Sequence, residues 1–232
     1  MKTRSQSAFT LIEMLVVISI IAVLAAFAVP ALTSALTKGQ MTGTMNNGRQ
    51  LYLAAQQMAL DGAANSDPSL AWPGDYNPVP ANLSAYMTSL VNNDYLKAGD
   101  VQKLLSGPGA SAAVTVGAGP PPQPVTVAGT AAFKIFLVTE SDPANVIFAE
   151  SRNYIYDTAL AATAPGGGPN NPFGQKGFII QRKGGDAAIL RANNATVVGG
   201  NNAQFEAQVG KKPGEAQGTV TNGDPAAVLS QP

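Results

Sequence analysis

The sequence predicts an α+β chain: one long N-terminal α-helix, apolar enough in its first half to cross a membrane, packed on a small antiparallel β-sheet head. Three observations carry that expectation. Residues 9–29 are apolar except for Thr10, Glu13 and Ser19, and at ~1.5 Å per residue such a helix extends roughly 30 Å, the thickness of a bilayer's hydrocarbon core. Further on, Met41, Met45, Gly48, Tyr52, Ala55 and Ala59 recur at spacings of three and four along one face of a continuing helix. Beyond residue 130 come short β-branched and aromatic runs bounded by turn residues.

The chain starts with a short basic leader, residues 1–8. Lys2 and Arg4 precede the apolar run and the next basic residue is Lys38, so the positive-inside preference predicts a cytoplasmic N-terminus and an exported head. Glu13 is the costly residue in the run: an acidic side chain near the centre of a membrane helix costs about 2.5–3.5 kcal/mol, and less near the end. It calls for a partner. An α-amine created by cleavage just ahead of Phe9 would serve, because opposite charges attract far more strongly in low dielectric than in water.

The segment Ser7-Ala8-Phe9-Thr10-Leu11-Ile12-Glu13-Met14-Leu15 resembles the leader junction of type IV prepilins and of the pseudopilins of type II secretion systems. The resemblance covers about the first sixty residues. It implies cleavage by a prepilin peptidase between Ala8 and Phe9, N-methylation of the new Phe9 terminus, and pairing of Glu13 with a neighbouring subunit's terminal amine. Ala8 stands where most members have Gly. Pro30 falls where members commonly kink or melt the helix, and proline in a helix interior removes a backbone hydrogen bond. The implied architecture is pilin-like: 1–8 removed, 9–60 the long helix with 9–29 its membrane and polymerisation part, and 61–232 an extracytoplasmic head. Such a subunit sits in the inner membrane in a single pass, with its head in the periplasm, and then joins a homo-oligomeric filament with other pilin-like subunits. An assembly ATPase and a platform protein are its indirect partners. An ordinary secretory signal is the competing reading, since Ala26-Phe27-Ala28 fits a small-x-small cleavage site. Glu13 at the entrance of the apolar core suits it poorly.

Asp61-Gly62 supplies a turn and a helix-stopping glycine, which puts the end of the long helix near residue 60. Residues 61–80 form a Pro/Gly/Asp/Asn-rich loop that Trp72 and Tyr76 can anchor. Leu83, Tyr86, Met87, Leu90 and Val91 have the spacing of a short helix, and Asp100 can cap another turn with Val101, Leu104 and Leu105. Residues 107–129 are low-complexity, either a hairpin of two short strands, 114–116 and 125–127, or an exposed loop. Strands are expected at 133–138, 145–149 and 153–156. The clearest hairpin pairs 178–181 with 188–191 through Lys183-Gly184-Gly185-Asp186. A second low-complexity loop covers 163–174, and 193–232 reads as a loop-rich, mobile tail.

Fourteen basic and fourteen acidic residues balance to zero, with no basic tract, so nothing draws the chain to nucleic acid. It has neither cysteine nor histidine. That rules out disulfides, thiolate metal sites, Ser-His triads and imidazole bases. Ser141, Ser151 and Lys134 lie in no nucleophile motif, and the expectation is a structural subunit, not an enzyme. Asp75, Asp142, Asp157 and Asp186 are candidate Ca²⁺ ligands, but without a calcium-loop pattern they read as solvated turn residues and no cofactor is expected. The missing C-terminal cysteine pair points to a type II secretion pseudopilin over an adhesive type IV pilin. A reading of another class is a membrane-anchored periplasmic binding module that never polymerises, with Trp72 and Tyr76 on its ligand surface.

Overall fold

A computed structural model describes residues 10–120, 122–161, 173–225 and 228–229. The chain forms two compact units, residues 1–39 and 40–232, and a single helix, α1 (Leu11–Asn65), contributes to both. In the first unit the large apolar side chains of α1, from Leu11 and Ile12 to Leu32 and Leu36, are exposed. The same helix is long and apolar enough to cross a membrane, and none of its most apolar window is buried in the protein.

In the second unit the predicted stripe turns inward. Met41, Gly48, Leu51, Tyr52, Ala55, Met58 and Ala59 are buried, because an apolar face at helical spacing is stabilised by leaving water, at roughly 25 cal/mol per Å². Met45 is only partly buried. α1 also outlasts its expected end. It runs through Asp61 and Gly62 to Asn65, because Gly62 answers to close packing and not to chain reversal. A Cβ built there would lie 1.6 Å from the Leu70 carbonyl oxygen. Gly62→Ala is therefore expected to push the 66–72 loop off the helix and lower stability by about 2–3 kcal/mol, read as a lower urea midpoint.

α2 (Leu83–Asn92) starts at Asn82, whose side chain accepts from the Ala85 N–H, and buries Leu83, Tyr86, Met87 and Leu90. α3 (Ala98–Leu105) buries Val101, Leu104 and Leu105. Asp100 lies inside its first turn and Lys97 holds the cap position without a side-chain bond, so the acid serves the helix dipole rather than the cap. The 107–129 stretch resolves as a hairpin, β1 (Ala112–Val116) with β2 (Val125–Gly129). Ser84 and Thr88 of α2 receive the Val127 and Val125 N–H groups through their hydroxyls at 3.0 and 2.9 Å, which stitches the hairpin to that helix.

The main sheet is antiparallel, in the order β3 (Phe133–Ile135), β4 (Ile147–Ser151), β5 (Phe178–Arg182) and β6 (Ala187–Leu190). The hairpin expected at 178–191 is β5–β6, with Phe178 opposite Leu190 and Gln181 opposite Ala187, and Gly185 at φ +92° takes the left-handed corner of its turn. β3 and β4 are buried at every position, so they read as continuous runs without alternation. The β4–β5 register slips between Ile147 and Ala149. Phe148, at this irregularity, lies edge-on to Tyr52 and Trp72, each centroid 5.8 Å away.

Residues 153–156 are not a strand. The chain turns after Ser151, and the Asn153 amide donates to the Gly174 and Gly177 carbonyls at 3.1 and 2.8 Å. Tyr154 stacks on Phe178 at 3.9 Å, and its hydroxyl donates to the Ala195 carbonyl. Aromatic residues that suggest a strand are here inserted side chains, each with a bonded polar tip. The 193–232 region is loop-rich, yet its described residues are largely tied down. It includes α4 (Asn202–Gln208), Phe205 packs edge-on to Tyr156 at 5.2 Å, and Val209 and Leu229 are buried. Of the 163–174 loop, 163–172 lie outside the described residues.

Candidate functional site

The first turn of α1 carries a feature absent from the sequence expectations. The Thr10 backbone N–H and hydroxyl both donate to Glu13 Oε2, at 2.8 and 2.7 Å, and the Glu13 N–H donates back to Thr10 Oγ1 at 3.3 Å. This is a capping box, in which the N-cap hydroxyl and the third helical residue satisfy each other's free donors. Its signature, Thr10-x-x-Glu13 directly before an apolar run, is legible in the sequence. Glu13 thus has a local reason to exist: it closes the helix and sits at the positive end of the helix dipole. Among the described residues its second oxygen, Oε1, accepts no hydrogen bond. One acceptor position therefore remains for an outside donor.

Ala8 and Phe9 lie outside the described residues. Pro30 lies within α1, which is continuous through it, and the Thr33 hydroxyl donates to the Pro30 carbonyl at 3.0 Å. Ser19 and Thr37 likewise return their hydroxyls to carbonyls one turn back, at 2.7 and 2.9 Å. The polar groups of this apolar segment are thus satisfied within the helix, as a segment in lipid requires.

In the head, the four acids considered as Ca²⁺ ligands each have a local role. Asp75 accepts from the Glu140 N–H. Asp142 accepts from the Thr139 N–H and hydroxyl, Asp157 from the Val197 N–H at 2.7 Å, and Asp186 pairs with Arg182. Among the described residues no three or more Asp, Glu, His or Cys side chains gather around one point. Ser151 is buried, accepting from the Ile179 N–H and donating to Asn153 at 2.8 Å, and Ser141 lies 3.0 Å from the Thr139 hydroxyl.

Lys134 stands apart. Its ammonium lies 2.6 Å from Glu150 Oε1 and 2.7 Å from Asp224 Oδ2, and it donates to the Tyr154 carbonyl. Glu150 is fully buried, and its ion-pair partner is the Lys134 ammonium. Burial pushes its carboxyl up to about 8, against the opposing pull of Lys134. Burial is also the largest influence on Lys134 and pulls its pKa down, but the two carboxylates together outweigh it and the net direction is up. The cluster is one ammonium held between two acids, the part-exposed Asp224 and the fully buried Glu150. The cluster clasps the C-terminal segment to the sheet. Asp224 also accepts from the Tyr156 N–H, Leu229 N–H bonds the Ile135 carbonyl, and Lys212 gathers the Thr221 and Gly223 carbonyls at 2.6 and 2.9 Å. Sequence offered no signal for it, because its members lie far apart in the chain.

The profile of the prokaryotic N-terminal methylation motif matches residues 3–29. Three type IV major fimbrial proteins, FimA, of Dichelobacter nodosus are similar to the chain: 34% identical over 67 residues, 33% over 69 and 33% over 67. These matches take in 29–30% of this chain and 42–44% of the relatives, so the chain spans less than half the length of the curated proteins it matches. No solved structure matches it. The motif falls on the apolar helix and its capped glutamate, and over such a segment the chain is similar to type IV fimbrial proteins.

Proposed function

We propose that this chain is the precursor of a filament subunit. A prepilin peptidase removes residues 1–8 by cutting between Ala8 and Phe9, and Phe9 becomes the N-methylated terminus. Lys2 and Arg4 keep the leader in the cytoplasm, residues 9–29 hold the subunit in the inner membrane, and the head, residues 61–232, faces the periplasm. Subunits then stack through their apolar helices into a type IV pilus-like filament, and the new amine of one copy meets Glu13 of another. The subunit acts by polymerising and needs no resident cofactor. The observation that carries this reading is the capped carboxylate at the head of a fully exposed apolar helix. Glu13 is ordered by Thr10, retains a free oxygen, and lies four positions from the terminus that cleavage would make.

The absence of cysteine from the chain favours a secretion pseudopilus, whereas the fimbrial relatives, similar over 29–30% of the chain, favour a pilus. The system is therefore read from the assembled product. Mass spectrometry of the protein from a host with an active prepilin peptidase is expected to find a chain beginning at methylated Phe9. A chain retaining Met1, or one beginning after Ala28, overturns the proposal and leaves an anchored module or a secreted protein. Surface fibres visible by electron microscopy identify a pilus, whereas filaments confined to the periplasm identify a pseudopilus.

A further inference from the structure

Where α1 ends, the 66–75 loop folds beside it and leaves a surface groove of about 440 Å³. Ala59, Ala63, Pro68, Leu70, Ala71 and Trp72 give it an apolar lining, to which Asp67, Asp75 and Glu140 add three acids. No ion pair of the described residues uses any of these three acids. Lys183 spends its ammonium on the Glu140 and Asp142 carbonyls and lies 5.8 Å from the Trp72 ring. Asp67 and Glu140 are each fixed through one oxygen, Asp67 by the Ser69 N–H and hydroxyl and Glu140 by the Trp72 indole. The Ser69 hydroxyl bond, then its amide bond, holds the exposed Asp67 carboxyl below its ordinary value. The apolar lining, three acids outside any ion pair of the described residues and the fixed carboxylates together suit a side chain with an apolar stem and a cationic head.

The chain supplies such a side chain. From Gly39 to Leu60 the one charged residue is Arg49. It is exposed on α1 and makes no ion pair with any described residue. Arginine covers apolar surface with its methylenes while its planar head takes a carboxylate through two parallel N–H bonds. Within one copy Arg49 lies roughly 15 Å along the helical rise from Ala59, the first groove residue on α1, and pairs with none of the groove's acids. We propose that the groove receives Arg49 of a second copy of this chain, displaced along α1, in a head-to-tail contact. Because donor and acceptor surfaces differ, the contact does not close on itself and can repeat along a fibre.

This inference rests on the filament reading, and the experiment separates the two. Arg49→Glu and Asp67→Arg are each expected to lower filament yield about tenfold, since like charges then face each other, while Arg49→Glu with Asp67→Arg restores it. Asp67→Asn, which keeps the acceptors for Ser69, is expected to give an intermediate loss, and unchanged thermal melts of the variants show that the heads fold. The chain lacks cysteine, so Arg49→Cys combined with Asp67→Cys gives a background-free readout: filaments oxidised in place should yield a ladder of disulfide-linked subunits on a non-reducing gel. Wild-type yield in the single reversals, no recovery in the pair, or no ladder overturns the contact while leaving the filament intact. If the wild-type chain makes no filament in a host that assembles other prepilins, the filament reading itself falls.

Discussion

Glu13→Ala is expected to abolish filaments while leaving the head folded. The core of the head is built from residue 41 onward, so nothing that stabilises it depends on the first turn of α1. The variant loses two things at once: its half of the capping box, worth about 1 kcal/mol of local helix stability, and the charge that an incoming amine would meet. Thr10→Ala separates them. It removes the hydroxyl that donates to Glu13 Oε2 at 2.7 Å but keeps the carboxylate, and it is expected to fray the first turn while filaments still form at reduced yield. Glu13→Gln keeps the acceptor and removes the charge, and is expected to behave like Ala if attraction to the amine drives assembly. Filaments counted by electron microscopy, with head stability followed by circular dichroism, decide the matter. Equal yields from Glu13→Ala and Thr10→Ala would reduce Glu13 to a capping residue.

The largest change in stability is expected from Lys134→Met. Removing the ammonium strands Asp224 and the fully buried Glu150 beside each other, and deleting one member of a buried ionic group typically costs about 3–5 kcal/mol. A loss of about 3 kcal/mol is expected, read from the urea midpoint. Lys134→Met with Glu150→Leu should recover much of it, since apolar groups of similar volume need no desolvated partner. The same cluster sets a pH dependence. Glu150 holds its proton up to about 8 in the folded chain but loses it near 4.5 when unfolded. Between those values the folded state binds more protons, so stability falls as pH rises, by at most about 1.4 kcal/mol per unit. Lys134, raised by its carboxylate neighbours, contributes stability that is intact below its ordinary value and lost only in alkali above the raised one. Glu150→Gln should flatten the decline between pH 5 and 8; an unchanged slope in that variant removes Glu150 as its source.

The elements visible in the sequence are those whose evidence is local. The apolar run of α1, the Met41 to Ala59 stripe, the Leu83 to Leu90 spacing of α2 and the β5–β6 hairpin with its glycine turn are periodic over a few turns or residues. Burial follows such periods directly. The Thr10–Glu13 box is equally local, its two members three positions apart directly before the apolar run. What failed was inference from residue type alone. Gly62 suggests a helix stop but permits a close approach of the Leu70 carbonyl, and the aromatics of 153–156 suggest a strand but fill gaps between elements.

The sequence by itself determined the long apolar helix and the methylation-motif segment that opens it, because each depends on neighbours within a few positions. Only the tertiary structure decided that the polar C-terminal stretch is clasped to the sheet through Lys134, Glu150 and Asp224, and that a groove lined in part by acids lies beside the end of α1. Those features join residues tens of positions apart, and their energies come from desolvation and charge proximity, which exist only once the chain has folded.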